Sequence, residues 1–419
     1  MSEKRSPTKP KGRGVRPGKL QVGLGKHRKE LGFTRPTDSD AATTSFDYKA
    51  LSKKQKFAKI ESCVNSNPAD VASLRQLSIS RGGLLSNELR LKAWPKLLAV
   101  NVSDISPKPS SEDLQAHRDY SQVVMDVNRS LKRFPPGMQD DQRMALQDQL
   151  VDVIMRVLVK NPELHYYQGY HDICVTFLLV VGEDVAFALV EKLSINHLRD
   201  FMDSNMDRTK HMLNYLYPIL YKANPELCEY MESAELGTIF SLSWLITWYG
   251  HVLNDFRHIV RLYDFFIACH PLMPIYLAAA IVLYREKEVL ACECEMCFIH
   301  SLLSKIPDHL PFEQLIAKAG DLYLQFPPAA LANEAIIKFR KSTALENSRK
   351  LQHGSRSQSS DSRVKKSKQN GKLLSLFIPD GSSKLMKVTV WTLGAVLSAA
   401  VFAVFNAAAD WDWLEGRWW

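Results

Sequence analysis

The chain has 419 residues, enough for one large domain with tails, and a formal net charge of +9 that is unevenly distributed. Residues 1–36 and residues 338–372 each carry eleven basic and two acidic side chains, whereas residues 37–337 have a net charge of −8. An acidic central region argues against a nucleic-acid groove, so no nucleic-acid partner is expected. The seven cysteines form no secretory framework, which indicates a reducing, cytosolic environment for this region.

Residues 1–52 are predicted to form a disordered basic arm. Lys, Pro, Gly and Ser dominate this stretch, and it has too few aromatic residues to offset the entropy lost on ordering. It contains no apolar segment of the kind found in signal peptides. A helical domain is predicted to begin at residue 53, where apolar residues start to recur at helical spacing.

The segment 53–330 is predicted to be a single large helical domain. Ser86 is placed to cap a helix, and Phe134-Pro135-Pro136-Gly137 is a strong stop for the helix that starts near Tyr120. Asp141–Val159 is predicted to be an amphipathic helix. Further helices are predicted at 173–181, 184–193, 208–222, 235–250, 255–268, 273–288 and 296–304. Because strand signals are scarce, the predicted fold class is all-α.

The C-terminal part of the chain is predicted to be a linker and a membrane anchor. Residues 331–385 are rich in Ser, Lys, Gln and Arg and are predicted to be a disordered linker. Val388–Ala409 holds 22 residues without a charge, which as a helix spans a hydrocarbon core of about 30 Å. We therefore predict a transmembrane tail anchor at 386–409 and a short lumenal tail at 410–419, with a buried soluble helix as the alternative. Lysines before the apolar run and acidic residues after it keep the large N-terminal part in the cytosol.

Common catalytic and metal-binding signatures are absent from the sequence. There is no nucleophile elbow, no His-Glu-x-x-His, no phosphate-binding Gly-x-x-x-x-Gly-Lys and no dinucleotide-binding glycine motif. Cys292, Cys294, Cys297 and His300 form a cluster, but their spacing matches no standard zinc pattern. We expect neither a metal site nor a cofactor of the protein's own.

Two polar segments stand out among the apolar runs. Tyr166–Asp172 brings three phenols, an amide, an imidazole and a carboxylate into seven residues, and buried polar groups need partners or a ligand. The alternative is a solvated helix start with aromatic packing. Asp126 and Arg129 are three residues apart on one helix, where a carboxylate can orient a guanidinium; the alternative there is an exposed ion pair.

Together these segments resemble the TBC-domain family, the GTPase-activating proteins for Rab GTPases, over roughly residues 80–325. The shared motifs are Arg90-x-x-x-Trp94, Val123-x-x-Asp126-x-x-Arg129, Tyr166-x-Gln168-Gly169, Ser243-Trp244-Leu245 and Arg261-x-x-Asp264-x-Phe266. The departures from the family pattern are small, and they are Val123, Ser130, Tyr170 and His171. With its C-terminal anchor the chain is most similar to the family member anchored in the endoplasmic reticulum. That likeness implies a single-pass protein of the endoplasmic reticulum membrane with its catalytic domain facing the cytosol.

The resemblance implies that Arg129 and Gln168 are inserted in trans into the site of a GTP-bound Rab. Such a protein supplies catalytic residues but has no GTPase activity of its own, and GTP and Mg²⁺ are bound by the partner Rab. The implied process is early secretory traffic between endoplasmic reticulum and Golgi. The alternative is a catalytically silent Rab-binding or membrane scaffold protein at the endoplasmic reticulum.

Six further residues are implied to support the two inserted side chains. Asp126 is expected to hold Arg129, and Gly169 is expected to let the Rab backbone come close. Tyr166 and Asp172 are expected to buttress the loop of Gln168. The remaining two residues, Arg90 and Trp94, are expected to brace the scaffold.

Overall fold

The computed structural model describes residues 52–130 and 138–354, with side chains up to residue 344. In chain order its α-helices are α1 (Lys53–Asn65), α2 (Val71–Ile79), α3 (Asn87–Leu97), α4 (Ser111–Gln115), α5 (Tyr120–Arg129), α6 (Asp140–Lys160), α7 (Tyr170–Val181), α8 (Glu183–Ser194), α9 (Asp207–Leu213), α10 (Leu216–Ala223), α11 (Pro225–Ser233), α12 (Leu242–Ile246), α13 (Phe256–Ala268), α14 (Met273–Tyr284), α15 (Glu286–Leu290), α16 (Met296–Leu303), α17 (Phe312–Gln325) and α18 (Pro328–Gly354). Since the described residues contain no strand, the prediction of an all-α domain is confirmed.

The predicted terminal segments are mostly outside the described residues. This applies to the basic arm at 1–51, to the tail anchor at 386–409 and to the lumenal tail at 410–419. Within 52–130 and 138–354, none of the helices combines the length and apolar character that a bilayer crossing requires.

Short polar side chains begin several of the helices. The Ser86 hydroxyl accepts a hydrogen bond from the Leu89 backbone N–H, which confirms the predicted cap of α3. Ser52 and Gln55 form a capping box at the start of α1. Such side chains satisfy backbone N–H groups that have no partner inside the helix. Local sequence therefore decides where these helices start.

Helix α7 lies at the centre of the apolar core. All of its residues except Leu179 are buried, and it packs against α3, α6 and α8. A helix that is apolar on every side is stable in water only when other helices surround it. Its first three residues are Tyr170, His171 and Asp172, so the polar segment found in the sequence enters the core from the N-terminal end of this helix.

A buried carboxylate joins α3 to α13. Asp264 is fully buried and accepts hydrogen bonds from Arg90 Nε at 3.0 Å and Arg90 Nη2 at 2.9 Å. It also accepts from Trp94 Nε1 and from the Leu84 backbone N–H, both at 2.9 Å. Arg90 and Trp94 therefore lie on one face of α3 and contact the same partner on α13, a geometry suited to bracing the scaffold.

The domain extends further than the sequence predicted. Residues 331–354 were predicted to belong to a disordered linker, but α18 runs to Gly354, so this part of the prediction is wrong. Leu331 and Ala335 are buried, and Glu334 pairs with Lys222 of α10 at 3.0 Å. A few apolar residues on one face are enough to dock a helix, even when its overall composition is polar.

The prediction of one continuous helix at 235–250 is also wrong. This stretch contains a 3₁₀ turn at Ile239–Ser241, then α12, then a turn in which Trp248 and Tyr249 have positive φ angles of 46° and 65°. Both aromatic rings are buried. Their packing stabilises a backbone conformation that an L-residue rarely adopts, and helical periodicity carries no information about it.

Candidate functional site at the N-terminal end of helix α7

Arg129 is the last residue of α5, and its side chain is exposed. Val123 and Val127 on the same helix are fully buried, so α5 is anchored by one face and presents Arg129 on another. No group within residues 52–130 and 138–344 forms a hydrogen bond or an ion pair with its guanidinium. The five donors of this side chain are therefore available to a partner molecule.

Gln168 lies in the turn that leads into α7, and it too is exposed. The described residues offer no hydrogen-bond partner to its amide. The residues on either side are held firmly: the Tyr167 hydroxyl donates to the Ile246 carbonyl at 2.8 Å, and Gly169 is buried. The turn is therefore fixed to the core while the amide projects from it.

Tyr166 connects the two segments that carry these exposed side chains. Its backbone N–H donates to Asp119 Oδ2 at 3.3 Å, at the start of α5, and its hydroxyl donates to Asp126 Oδ2 at 3.0 Å. Burial, and after it the nearby Asp126 carboxylate, raise the pKa of the Tyr166 phenol well above its ordinary value. The phenol therefore stays protonated and donates at any physiological pH.

The structure corrects the predicted role of Asp126. No ion pair joins Asp126 to Arg129 among the described residues; the carboxylate instead accepts from Gln122 Nε2 at 3.0 Å and from Tyr166. Asp126 is only 2% exposed, whereas Arg129 faces solvent. The carboxylate thus holds the helix against the loop of Gln168, and it does not hold the guanidinium directly.

The structure also corrects the reason for glycine at 169. This residue has a φ of +109°, and a Cβ built on it would lie 2.8 Å from Thr247 Cγ2. Glycine is required here because the backbone is left-handed and because a Cβ would collide with Thr247 inside the protein. A side chain at this position would point into the protein and not to a free surface. The expected close approach of a Rab backbone at this position has no support in the geometry.

Asp172 secures the start of α7 from inside the core. Its carboxylate is 2% exposed and lies 3.1 Å from His251 Nδ1. His251 follows the turn that packs on Gly169, and its backbone N–H donates to Thr247 Oγ1 at 3.2 Å. These contacts join the first turn of α7 to the turn that follows α12, and the buttressing of the Gln168 loop by Asp172 stays a prediction.

Sequence reasoning missed several residues of this site. Gln122 could have been found, because it precedes Asp126 by one helical turn. Asp119, the N-cap of α5, and Arg118 before it contact the segment that leads to Gln168: Asp119 accepts from the Tyr166 backbone N–H, and Arg118 Nη2 donates to the Leu164 carbonyl at 3.0 Å. His251 is 79 residues from Asp172 in the chain, and no local signal connects the two.

The cysteine cluster does not form a site with the residues described. Cys294 and Cys297 are exposed and Cys292 is half-buried, and all three are free thiols. Within residues 52–130 and 138–344, no group of three or more His, Cys, Asp or Glu side chains is arranged to hold a metal ion. Among the described residues, Arg129 and Gln168 each expose a polar group without a partner, a guanidinium and an amide, on backbone that is held in place.

Comparison with known proteins identifies relatives over most of the chain. The Rab-GTPase-TBC domain family model matches residues 87–290. The human protein "TBC1 domain family member 20" is 53% identical over 378 residues, which cover 89% of this chain and 94% of that protein. The Schizosaccharomyces pombe "GTPase-activating protein gyp10" is 32% identical over 254 residues, which cover 59% of this chain and 67% of that protein. The crystal structure of the Ypt/Rab-GAP domain of Gyp1p shares the fold, with a TM-score of 0.52 over 65% of this chain and 99% of that one, at 14% identity.

Proposed function

Because the chain belongs to the Rab-GTPase-TBC domain family, we propose that it accelerates GTP hydrolysis by a Rab GTPase, into whose site it inserts Arg129 and Gln168. One observation carries the assignment of these two residues. Both are exposed and unpaired within the described residues, and Tyr166 ties the loop of one to the helix of the other. A catalytic pair that acts in trans needs this combination of fixed backbone and unengaged side chains.

The two side chains supply what a Rab lacks by itself. A GTPase alone positions the attacking water poorly and leaves the charge that develops on the transferring phosphoryl group uncompensated. The planar guanidinium of Arg129 donates several hydrogen bonds to phosphate oxygens in a fixed geometry. The Gln168 amide both donates and accepts, so it can orient a water molecule for in-line attack. GTP and Mg²⁺ are bound by the Rab, and this chain contributes neither.

The arginine is tested by single-turnover GTP hydrolysis with a panel of GTP-loaded Rabs and the full-length protein. Arg129→Ala and Arg129→Lys should each lower the stimulated rate by about 10³-fold or more, because lysine keeps the charge but loses the fork. Arg208→Ala is a matched control, since Arg208 is also an exposed helical arginine, and it should keep the wild-type rate. Full stimulation by Arg129→Lys would refute the mechanism.

The glutamine is tested in the same assay. Gln168→Ala should reduce stimulation severely, and Gln314→Ala, an exposed glutamine on α17, should leave the rate unchanged. A near-wild-type rate for Gln168→Ala would mean that the Rab uses its own glutamine. If the wild-type protein binds GTP-loaded Rabs but stimulates none of them, the chain is the catalytically silent scaffold instead.

We further propose that the protein acts in early secretory traffic from the endoplasmic reticulum membrane. The support is the run of 22 uncharged residues at 388–409, which is long enough to cross a bilayer as a helix. Deletion of 386–419 should release the protein to the cytosol and leave its activity in solution intact, while deletion of 410–419 alone should keep it on the membrane. Membrane retention after the longer deletion would contradict the anchor.

A further inference from the structure

The hydroxyl of Tyr166 lies between two polar groups. On one side is Asp126 Oδ2 at 3.0 Å, and on the other is His171 Nδ1 at 2.9 Å. His171 belongs to the first turn of α7 and is 9% exposed. Bulk water therefore cannot easily replace either contact, and buried polar groups of this kind require matched donors and acceptors.

Proton counting fixes the direction of both hydrogen bonds. A phenol has one proton to donate, and a carboxylate can only accept, so Tyr166 donates to Asp126. The phenol oxygen then presents its lone pairs to His171. Because two lone pairs repel each other at 2.9 Å, Nδ1 of His171 must carry a proton and donate it to Tyr166.

The opposite side of the imidazole faces a carboxylate. His171 Nε2 lies 3.8 Å from Asp172 Oδ2, and the same carboxylate oxygen lies 3.1 Å from His251 Nδ1. At 3.8 Å this carboxylate is too far away to accept a hydrogen bond from Nε2, so it does not decide which ring nitrogen carries the proton. A flip of the ring about the Cβ–Cγ bond would place Cδ2 where Nδ1 meets the Tyr166 hydroxyl, and the hydrogen bond to the phenol would be lost.

We propose that His171 is a positioning residue: its Nδ1–H holds the Tyr166 phenol in the rotamer that binds Asp126. In this way His171 fixes the loop of Gln168 relative to the helix of Arg129 without touching the Rab. The kinetic part of this inference rests on the proposed function. The tautomer of His171 does not depend on that function and can be tested without it.

The tautomer is measured by NMR on the full-length protein labelled with ¹⁵N-histidine. Correlations between the carbon-bound ring protons and the two ring nitrogens report which nitrogen carries a proton. The signals of His171 are identified as those that disappear in His171→Asn. We expect a protonated Nδ1. A His171 ring whose Nδ1 has the shift of an unprotonated nitrogen would overturn the proposal, whether or not the protein stimulates a Rab.

The energetic coupling between His171 and Tyr166 is measured by a double-mutant cycle, with GTPase stimulation as the readout. His171→Leu should lower kcat about tenfold, with KM for the Rab close to wild type, because one buried hydrogen bond that positions the pair is lost. His171→Asn should retain most of the rate, since its Nδ2 is as many bonds from Cα as Nδ1 of histidine is. The pair His171→Leu/Tyr166→Phe should be no worse than Tyr166→Phe alone.

Two outcomes of the cycle contradict the proposal. Additive losses in the double variant would mean that His171 acts independently of Tyr166. A loss of the same size in His171→Asn as in His171→Leu, with both proteins folded by circular dichroism, would mean that the donated hydrogen bond is irrelevant. If the wild-type protein stimulates no Rab, the proposed function fails, and the NMR measurement still decides the tautomer.

Discussion

Removal of the buried carboxylate of Asp264 should cost more stability than almost any other single change in this domain. The side chain is fully buried and accepts hydrogen bonds from Arg90, Trp94 and the Leu84 backbone. Asp264→Ala leaves Arg90, which is 8% exposed, as a buried charge without its partner. The same change leaves the indole N–H and one backbone N–H without acceptors.

The magnitude follows from these three losses. Removing one partner of a buried ion pair costs about 3–5 kcal/mol. Each neutral donor left without an acceptor costs about 1–3 kcal/mol, although losses at one site do not add fully. We expect a decrease in the free energy of unfolding of about 5 kcal/mol, which is a large part of the roughly 5–15 kcal/mol typical of a domain.

Asp255→Ala provides a matched control at the other end of the same helix. Asp255 caps α13 and pairs with Arg257, whose side chain is 89% exposed, so its loss should cost only about 1 kcal/mol. Urea denaturation of both variants, followed by circular dichroism, measures the difference. If Asp264→Ala loses no more than Asp255→Ala, the reasoning about the buried pair is refuted.

Two further predictions concern the loop of Gln168 and the domain's N-terminal helix. Gly169→Ala should weaken GTPase stimulation and lower the stability of the fold, because the new methyl group meets Thr247 Cγ2. Gly182→Ala is the control: its φ is also positive, but the space around its Cβ is open, so it should lower stability less. Thermal melting and the hydrolysis assay compare the two variants. Lys56→Met should change how stability depends on pH. Burial, and after it the charge of Arg261, lower the pKa of Lys56 from 10.5 to about 8. The wild-type protein should gain stability relative to Lys56→Met between pH 8 and pH 10, as measured by urea denaturation.

The sign of the Lys56 effect follows from proton binding. Between the folded pKa of about 8 and the unfolded value of 10.5, the unfolded chain holds the proton more tightly than the folded one. Stability therefore rises with pH in that window, by at most roughly 3 kcal/mol, because the folded state no longer has to bury a charge. A difference between the two proteins that stays constant from pH 7 to pH 10 would contradict the assigned pKa.

The sequence by itself determined the features that depend on neighbouring residues. Helical periodicity and capping side chains identified most helices, including the start of α3 at Ser86. The motifs around Arg129 and Gln168 pointed to these two side chains through their resemblance to the TBC-domain family, since spacing alone fitted an exposed ion pair and a solvated helix start equally well. The prediction failed where composition was averaged over a long stretch, as it was for α18.

Only the tertiary structure decided what each polar side chain contacts. Asp126 faces Gln122 and Tyr166 instead of Arg129, and Gly169 is required by Thr247 of a distant turn. Asp264 meets Arg90 across 174 residues of chain. Spacing along one helix shows which side chains share a face, but partners are chosen by packing between helices that lie far apart in sequence. A buried group bonds to whatever the fold brings within reach, and no local pattern encodes that choice.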